Sequence, residues 1–204
     1  MHTVEENIGF REVRRRRVLL AATAGIGGAG LIATLVPFVK SMGPSEAVKA
    51  AGAPVEADLS KLGEGRITTV EWRGKPIWIL HRTDAMLNTL AADEHLLVDP
   101  ASTQPQQPPY ARNRTRSIKP RYFVAVGICT HLGCIPNFRP NADTTTELGP
   151  EWPGGFYCPC HGSRFDLAGR VFRNVPAPLN LEVPQHTYLS ETRLLIGEDR
   201  PRPG

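Results

Sequence analysis

The four cysteines of the chain fall in two short clusters, Cys129-Thr130-His131-Leu132-Gly133-Cys134 and Cys158-Pro159-Cys160-His161-Gly162-Ser163, and each cluster carries a histidine. Thiolate and imidazole donors grouped in this way point to a metal site with redox chemistry. A zinc ion held by two sulfurs and two nitrogens is one arrangement such a set can form. The spacing argues against it. A single residue separates Cys129 from His131, where zinc-finger donors stand about two to four residues apart. Each cluster also has one cysteine more than a single ion needs. A centre of two irons accommodates the set better, with zinc or a thiol redox pair as the alternatives.

The motifs C-T-H-L-G-C and C-P-C-H-G-S resemble those of Rieske proteins, in which one iron of a 2Fe-2S cluster is bound by two thiolates and the other by two imidazoles. The resemblance implies that Cys129 and Cys158 bind the inner iron and His131 and His161 the outer one. It also implies a disulfide between Cys134 and Cys160, as in the quinol-oxidising branch of the family; the ferredoxin and oxygenase branches lack that second cysteine pair. Imidazoles in place of two anionic thiolates leave the cluster less negative, which raises its potential by several hundred millivolts, enough to oxidise a quinol. By the same resemblance, His161 hydrogen-bonds the quinol and accepts its proton as the electron enters, and His131 is the second exposed ligand. Ser163 matches a serine that donates to a bridging sulfide. Phe165 stands where relatives often have a tyrosine that donates to a cysteine ligand, so that donor is missing here. Leu132 is expected to cap the cluster against water. Gly133 and Gly162 read as turn residues, allowing positive φ or a close backbone approach. Asn174 to Leu181 resembles the proline loop that closes the third side of the cluster, with Val175 where its opening glycine usually stands.

These features imply an iron-sulfur subunit of a respiratory chain. It would take an electron and a proton from ubiquinol at cytochrome b and pass the electron to a c-type cytochrome, coupling quinol oxidation to proton translocation within a dimeric, membrane-embedded complex. A small Rieske subunit of a periplasmic oxidoreductase, such as that of arsenite oxidase, is the competing resemblance. It would have little need of a permanent anchor.

The elements that must position this chemistry begin with a membrane segment. Arg14 to Arg17 precede twenty-two uncharged residues, Val18 to Val39, closed by Lys40. As a helix this stretch rises roughly 33 Å, enough to cross a hydrocarbon core. Gly25, Gly27, Gly28 and Gly30 would weaken it in water but are tolerated in lipid. The arginines place residues 1–17 in the cytoplasm. The remainder is then expected across a bacterial inner membrane, in the periplasm, an oxidising compartment suited to a disulfide. Arg15 to Leu20 also resembles a twin-arginine export signal, which carries proteins already folded. A cleaved secretory signal is the competing interpretation, disfavoured because its apolar stretch is usually about 7 to 15 residues long.

Of the net charge of +4, the first forty residues contribute six basic and three acidic side chains, so most of the excess lies at one end and no nucleic-acid surface is implied. Residues 40–56, small and punctuated by glycine and proline, read as a flexible hinge or tether.

Residues 57–204 carry the marks of an all-β fold, a Rieske-type antiparallel β domain with loops 129–134 and 158–163 forming a cluster-binding subdomain. Ile67 to Trp72 and Pro76 to His81 flank a hairpin turn. Thr83 is an N-cap for a short helix to Leu90. Pro100 to Pro120, poor in apolar residues, is expected to be a long surface loop. Tyr122 to Ile128 delivers Cys129, and Gly155 to Tyr157 delivers Cys158. A hairpin is expected over 165–172, and a closing strand pair at 186–190 and 193–196. His81, His95 and His186 are expected at the surface or half-buried. Trp72, Trp78 and Trp152 are expected to pack rather than relay electrons.

Overall fold

A computed structural model of the chain describes residues 2–45, 48, 52–141, 148 and 152–199, and of the first eleven residues the backbone alone from His2. The chain divides into two units, Met1–Lys49 and Ala50–Gly204. The tether expected at 40–56 lies partly outside the described residues, which omit 46, 47 and 49–51.

The first unit is a helix, α1 (His2–Ser41), with Pro37 inside it and Lys40 in its last turn. Its Glu12–Ser41 portion contains an 18-residue stretch with a mean hydropathy of 1.9 and is long and apolar enough to cross a membrane. Ile26, Leu31, Ile32 and Phe38 are all more than half exposed. The hydroxyls in this apolar stretch are satisfied by the helix itself: Thr23 donates to the Leu19 carbonyl at 2.9 Å, and Thr34 to those of Gly30 and Leu31. A hydroxyl that turns back on its own helix can enter hydrocarbon without leaving a donor unpaired.

The second unit contains three antiparallel sheets of three strands each among the described residues: β1 (Val55–Asp58), β9 (Arg193–Ile196) and β8 (His186–Tyr188) in that order; β2 (Ile67–Trp72), β3 (Lys75–His81) and β4 (Tyr122–Val126); and β5 (Asn137–Arg139), β6 (Gly155–Cys158) and β7 (Ser163–Phe165). The middle layer is formed by β2 (Ile67–Trp72), β3 (Lys75–His81) and β4 (Tyr122–Val126). The turn between β2 and β3 holds Arg73 and Gly74 at φ of 52° and 70°, the two-residue geometry that matches strand twist. Strands β3 and β4 are buried on both faces, and their period of two divides the core. Ile77, Ile79, Val124 and Val126 face one way, toward Ala57 of β1 (Val55–Asp58) and Leu194 and Ile196 of β9 (Arg193–Ile196). Trp78, Leu80, Phe123 and Ala125 face the other, into a cluster that includes Cys129, Cys158, Phe156 and Phe165. Trp78 stacks on Phe156 with ring centroids 4.9 Å apart, a packing role as expected. Helix α2 (Asp84–Ala92) is capped by Thr83, whose hydroxyl accepts from the Met86 N–H.

The expected surface loop at 100–120 is corrected by the structure. It includes a 3-10 turn (Pro109–Ala111), and it buries Ser102, Ala111, Arg116 and Ser117. Polar composition misleads here because the arginine is solvated by protein. Arg116 is fully buried and donates to the carbonyls of Ala168, Gly169 and Leu181 and to the Gln107 side chain. Arg82, equally buried, donates to Thr115, Pro120, Leu167 and Ser117. Burial lowers Arg82 to about 9 and Arg116 to about 10, with Asp166 opposing in each case, so both stay charged at neutral pH. A third buried guanidinium, Arg170, pairs with buried Asp166 at 2.7 Å and reaches the carbonyls of Leu90 and Pro100.

His186 is also corrected. It lies fully buried in β8 (His186–Tyr188), with Nδ1 2.8 Å from the Pro184 carbonyl and Nε2 without a partner among the described residues. Burial holds its pKa below the usual histidine value. The unfolded chain therefore binds a proton that the folded one refuses, so stability is lost as pH falls below about 6.5. One such proton contributes at most about 1.4 kcal/mol per pH unit. Thermal melts of wild type and His186→Phe between pH 7.5 and 5.5 are expected to show a steeper acid decline in the wild type.

Candidate metal centre

Two loops bring the predicted donors together. The first follows β4 and closes on itself: the Cys129 N–H donates to the Cys134 carbonyl at 2.7 Å, and the Gly133 N–H to the Cys129 carbonyl. The second is the turn between β6 (Gly155–Cys158) and β7 (Ser163–Phe165), in which Cys158 pairs with Ser163 and the Gly162 N–H donates to the Cys158 carbonyl at 2.9 Å. Gly133 and Gly162 have φ of 84° and 76° with open space where a Cβ would stand. Of the two reasons expected for glycine, positive φ is the one that applies.

Cys129 and Cys158 are free thiols, 3% and 2% exposed. Burial raises the Cys158 thiol, the neighbouring Cys129 adds to this, and the backbone N–H groups of Cys160 and His161 lower it. The rings of His131 and His161 meet edge to face, 4.8 Å between centroids, with His131 half-buried and His161 exposed. Cys134 and Cys160 form a disulfide that joins the two loops. Their sulfurs and that of Cys158 lie within 4.8 Å of one another. The bridge uses up two of the three, so this group is not a three-thiolate metal site.

The third side is the loop at 174–181. Thr130 Oγ1 donates to the Leu179 carbonyl at 2.6 Å, and the Ala177 N–H donates to Ser163 Oγ at 3.1 Å. Ser163 is fully buried, and with its oxygen accepting from Ala177 its own proton is free to donate. The positive φ of this loop's entry falls on Asn174, at 58°, a residue type that tolerates it, so Val175 needs no strained backbone. Leu132 is 72% exposed and Ile135 59%, two apolar side chains open to solvent within and just after the first loop. Thr130 and Asn180 were not singled out in the sequence. Asn180 is buried, accepts from the Val171 N–H and donates to the Asp99 carbonyl, fixing the loop's exit. A buried asparagine beside prolines carries no spacing signal that distinguishes it from a turn residue.

Residues 54–186 match the family described as the Rieske [2Fe-2S] domain. The chain belongs to the Rieske family. Residues 6–45 of this Rieske protein match a second family, described as the ubiquitinol-cytochrome C reductase Fe-S subunit TAT signal. It is 61% identical to the ubiquinol-cytochrome c reductase iron-sulfur subunit of Allochromatium vinosum over 91% of its own length and 89% of the relative's. It is 44% identical to the protein of the same description from Blastochloris viridis, over 91% and 94% of the two chains. The family's cofactor is a [2Fe-2S] cluster. The donor set fits it: two buried free thiols, two imidazoles in edge-to-face contact, and a free hydroxyl beside Cys158 supply both halves of a mixed sulfur and nitrogen site.

The disulfide ties the loops without offering a donor. Replacing Cys134 and Cys160 together by serine is therefore expected to leave cluster assembly possible but to shorten the cluster's lifetime several-fold, read as the rate at which visible absorption bleaches in air.

Proposed function

We propose that this chain is the electron-carrying iron-sulfur subunit of a bacterial ubiquinol-cytochrome c reductase, anchored by α1 with its head in the periplasm. The observation that carries the reading is the pairing of two buried thiols, Cys129 and Cys158, with two histidines of unequal exposure, one of them open to solvent. The similarity to subunits of that description across nine-tenths of the chain supports it.

In this reading Cys129 and Cys158 hold the inner iron and His131 and His161 the outer. The cluster, when bound, supplies a one-electron acceptor of high potential, because neutral imidazoles replace two thiolates. The residues do the rest. His161, exposed at the tip, accepts a hydrogen bond from the quinol hydroxyl and then its proton, at the ring nitrogen turned away from the iron. Ser163 offers its free O–H to cluster sulfur, which stabilises the more negative, reduced state. Thr130 and Ala177 hold the 174–181 loop against both ligand loops, which keeps water from the thiolates. The electron then passes to a c-type cytochrome, and release of the proton outside the cytoplasm makes the subunit part of a proton-translocating, dimeric complex with cytochrome b.

The reading is tested by extracting the tagged full-length chain from its membrane in mild detergent. Copurification with b- and c-type haems, together with the electron paramagnetic resonance of a Rieske cluster, is the expected result. A cluster-bearing chain that brings down no haem overturns it in favour of a subunit of another oxidoreductase.

Phe165 supplies a second prediction. It is fully buried in the same cluster of side chains as both thiols, so a hydroxyl added to its ring must find an acceptor inside. If that acceptor is ligand sulfur, Phe165→Tyr raises the midpoint potential by roughly 40 mV, one net hydrogen bond of about 1 kcal/mol at 59 mV per tenfold. Redox titration of the two proteins decides it.

A further inference from the structure

A hollow of about 210 Å³ lies among His95, Trp152, Arg164, Phe172, Arg173 and Asn174, apart from the metal centre. Its floor is aromatic, with the rings of Trp152 and Phe172 5.9 Å apart. Two guanidiniums line it, and each is held by a backbone carbonyl: Arg164 Nη1 donates to Leu148 at 3.1 Å and Arg173 Nε to Leu97 at 2.9 Å. Neither pairs with a carboxylate among the described residues. Some surface cations pair with a carboxylate and some, such as Arg66 and Arg73, do not among the described residues. Lys75, Arg114, Lys119, Arg121 and Arg193 each contact an Asp or Glu side chain. No carboxylate lines the hollow among the described residues, while His95 adds a third group able to carry positive charge. The Trp152 indole N–H, in the same wall, is buried and has no acceptor among the described residues. Two oriented guanidiniums with donors to spare, over an apolar floor, suit a small oxyanion bound through paired N–H···O contacts.

The hollow also has a short path to the cluster. Strand β7 alternates, so Arg164 faces away from Ser163 and Phe165, its buried neighbours in sequence. Across the strand pair, Arg164 lies opposite Tyr157 and Ser163 opposite Cys158.

We propose that this hollow binds a small oxyanion of the phosphate or carboxylate class, and that its occupation lowers the reduction potential of the cluster held at the loop that leads into β7. An anion at Arg164 opposes the negative charge that reduction adds. By linkage, the reduced protein binds the anion more weakly by the same factor. The binding site stands on its own geometry; the coupling rests on the proposed ligand set.

The test uses full-length, cluster-loaded protein in detergent at constant pH and ionic strength, titrated calorimetrically with inorganic phosphate and, separately, with acetate. Saturable binding of at least one probe is expected, weakened about tenfold or more in Arg173→Gln and in Arg164→Gln, and several-fold in Trp152→Phe. Redox titration is expected to show a lower midpoint with the bound probe than with chloride at equal ionic strength, a difference lost in Arg173→Gln. Preference for phosphate or acetate identifies the class. No saturable binding, or binding unchanged in both arginine variants with normal cluster spectra, overturns the site. Binding that responds to the variants but leaves the potential unmoved overturns the coupling alone.

Discussion

A guanidinium with no access to solvent holds the cluster end of the molecule together. Arg116 donates to the carbonyls of Ala168 and Gly169, in the turn that follows β7, and to that of Leu181, where the 174–181 loop ends. One of the three segments that enclose the metal centre and the turn that follows the strand after another are thus anchored to one side chain, which itself arrives from a loop without strand structure. Charge in the interior is tolerable because carbonyl oxygens replace its hydration, and it becomes costly if any of them moves. Arg82 and Arg170 repeat the device, the first binding the 115–120 backbone to Leu167, the second joining Asp166 to α2 through the Leu90 carbonyl. Three charges buried among backbone acceptors make a polar frame, and the apolar core fills the space around it.

The division of labour between the sheets follows from this frame. Strands β3 and β4 are covered on both faces, so they serve two cores at once. The core on the side of Trp78 and Phe123 continues without interruption to the two thiols. The sulfurs of Cys129 and Cys158 are therefore part of a packed interior, while the imidazole of His161 is exposed to water. Under the proposed ligand set, an electron would be stored in a dry environment and a proton exchanged with a wet one within the span of two short loops.

Much of this was legible in the sequence, and the parts that were not share a cause. The hairpin at 67–81, the capped helix at 84–92 and the strands leading to both cysteine clusters follow from alternation, turn residues and capping, all of which are local. The two cysteine clusters announce metal chemistry because ligand types at short spacing are rare for any other reason. What local pattern cannot reveal is which polar residue is solvated by distant backbone. Arg116 sits in a stretch of Pro, Gln and Arg that reads as surface, yet three of its carbonyl acceptors lie more than fifty positions away. Asn180, which donates to the distant Asp99 carbonyl, is hidden for the same reason, and the burial of His186 comes from tertiary packing that local pattern does not carry.

Helix α1 answers to one solvent and the head to another. The helix keeps its hydroxyls bonded within itself and exposes apolar side chains on all sides; the head satisfies its buried cations from its own backbone. The order of biogenesis is thereby left open to the cell. The head can be completed, metal included, while the anchor is still a passenger, and the bilayer can receive the anchor afterwards without reopening anything already closed.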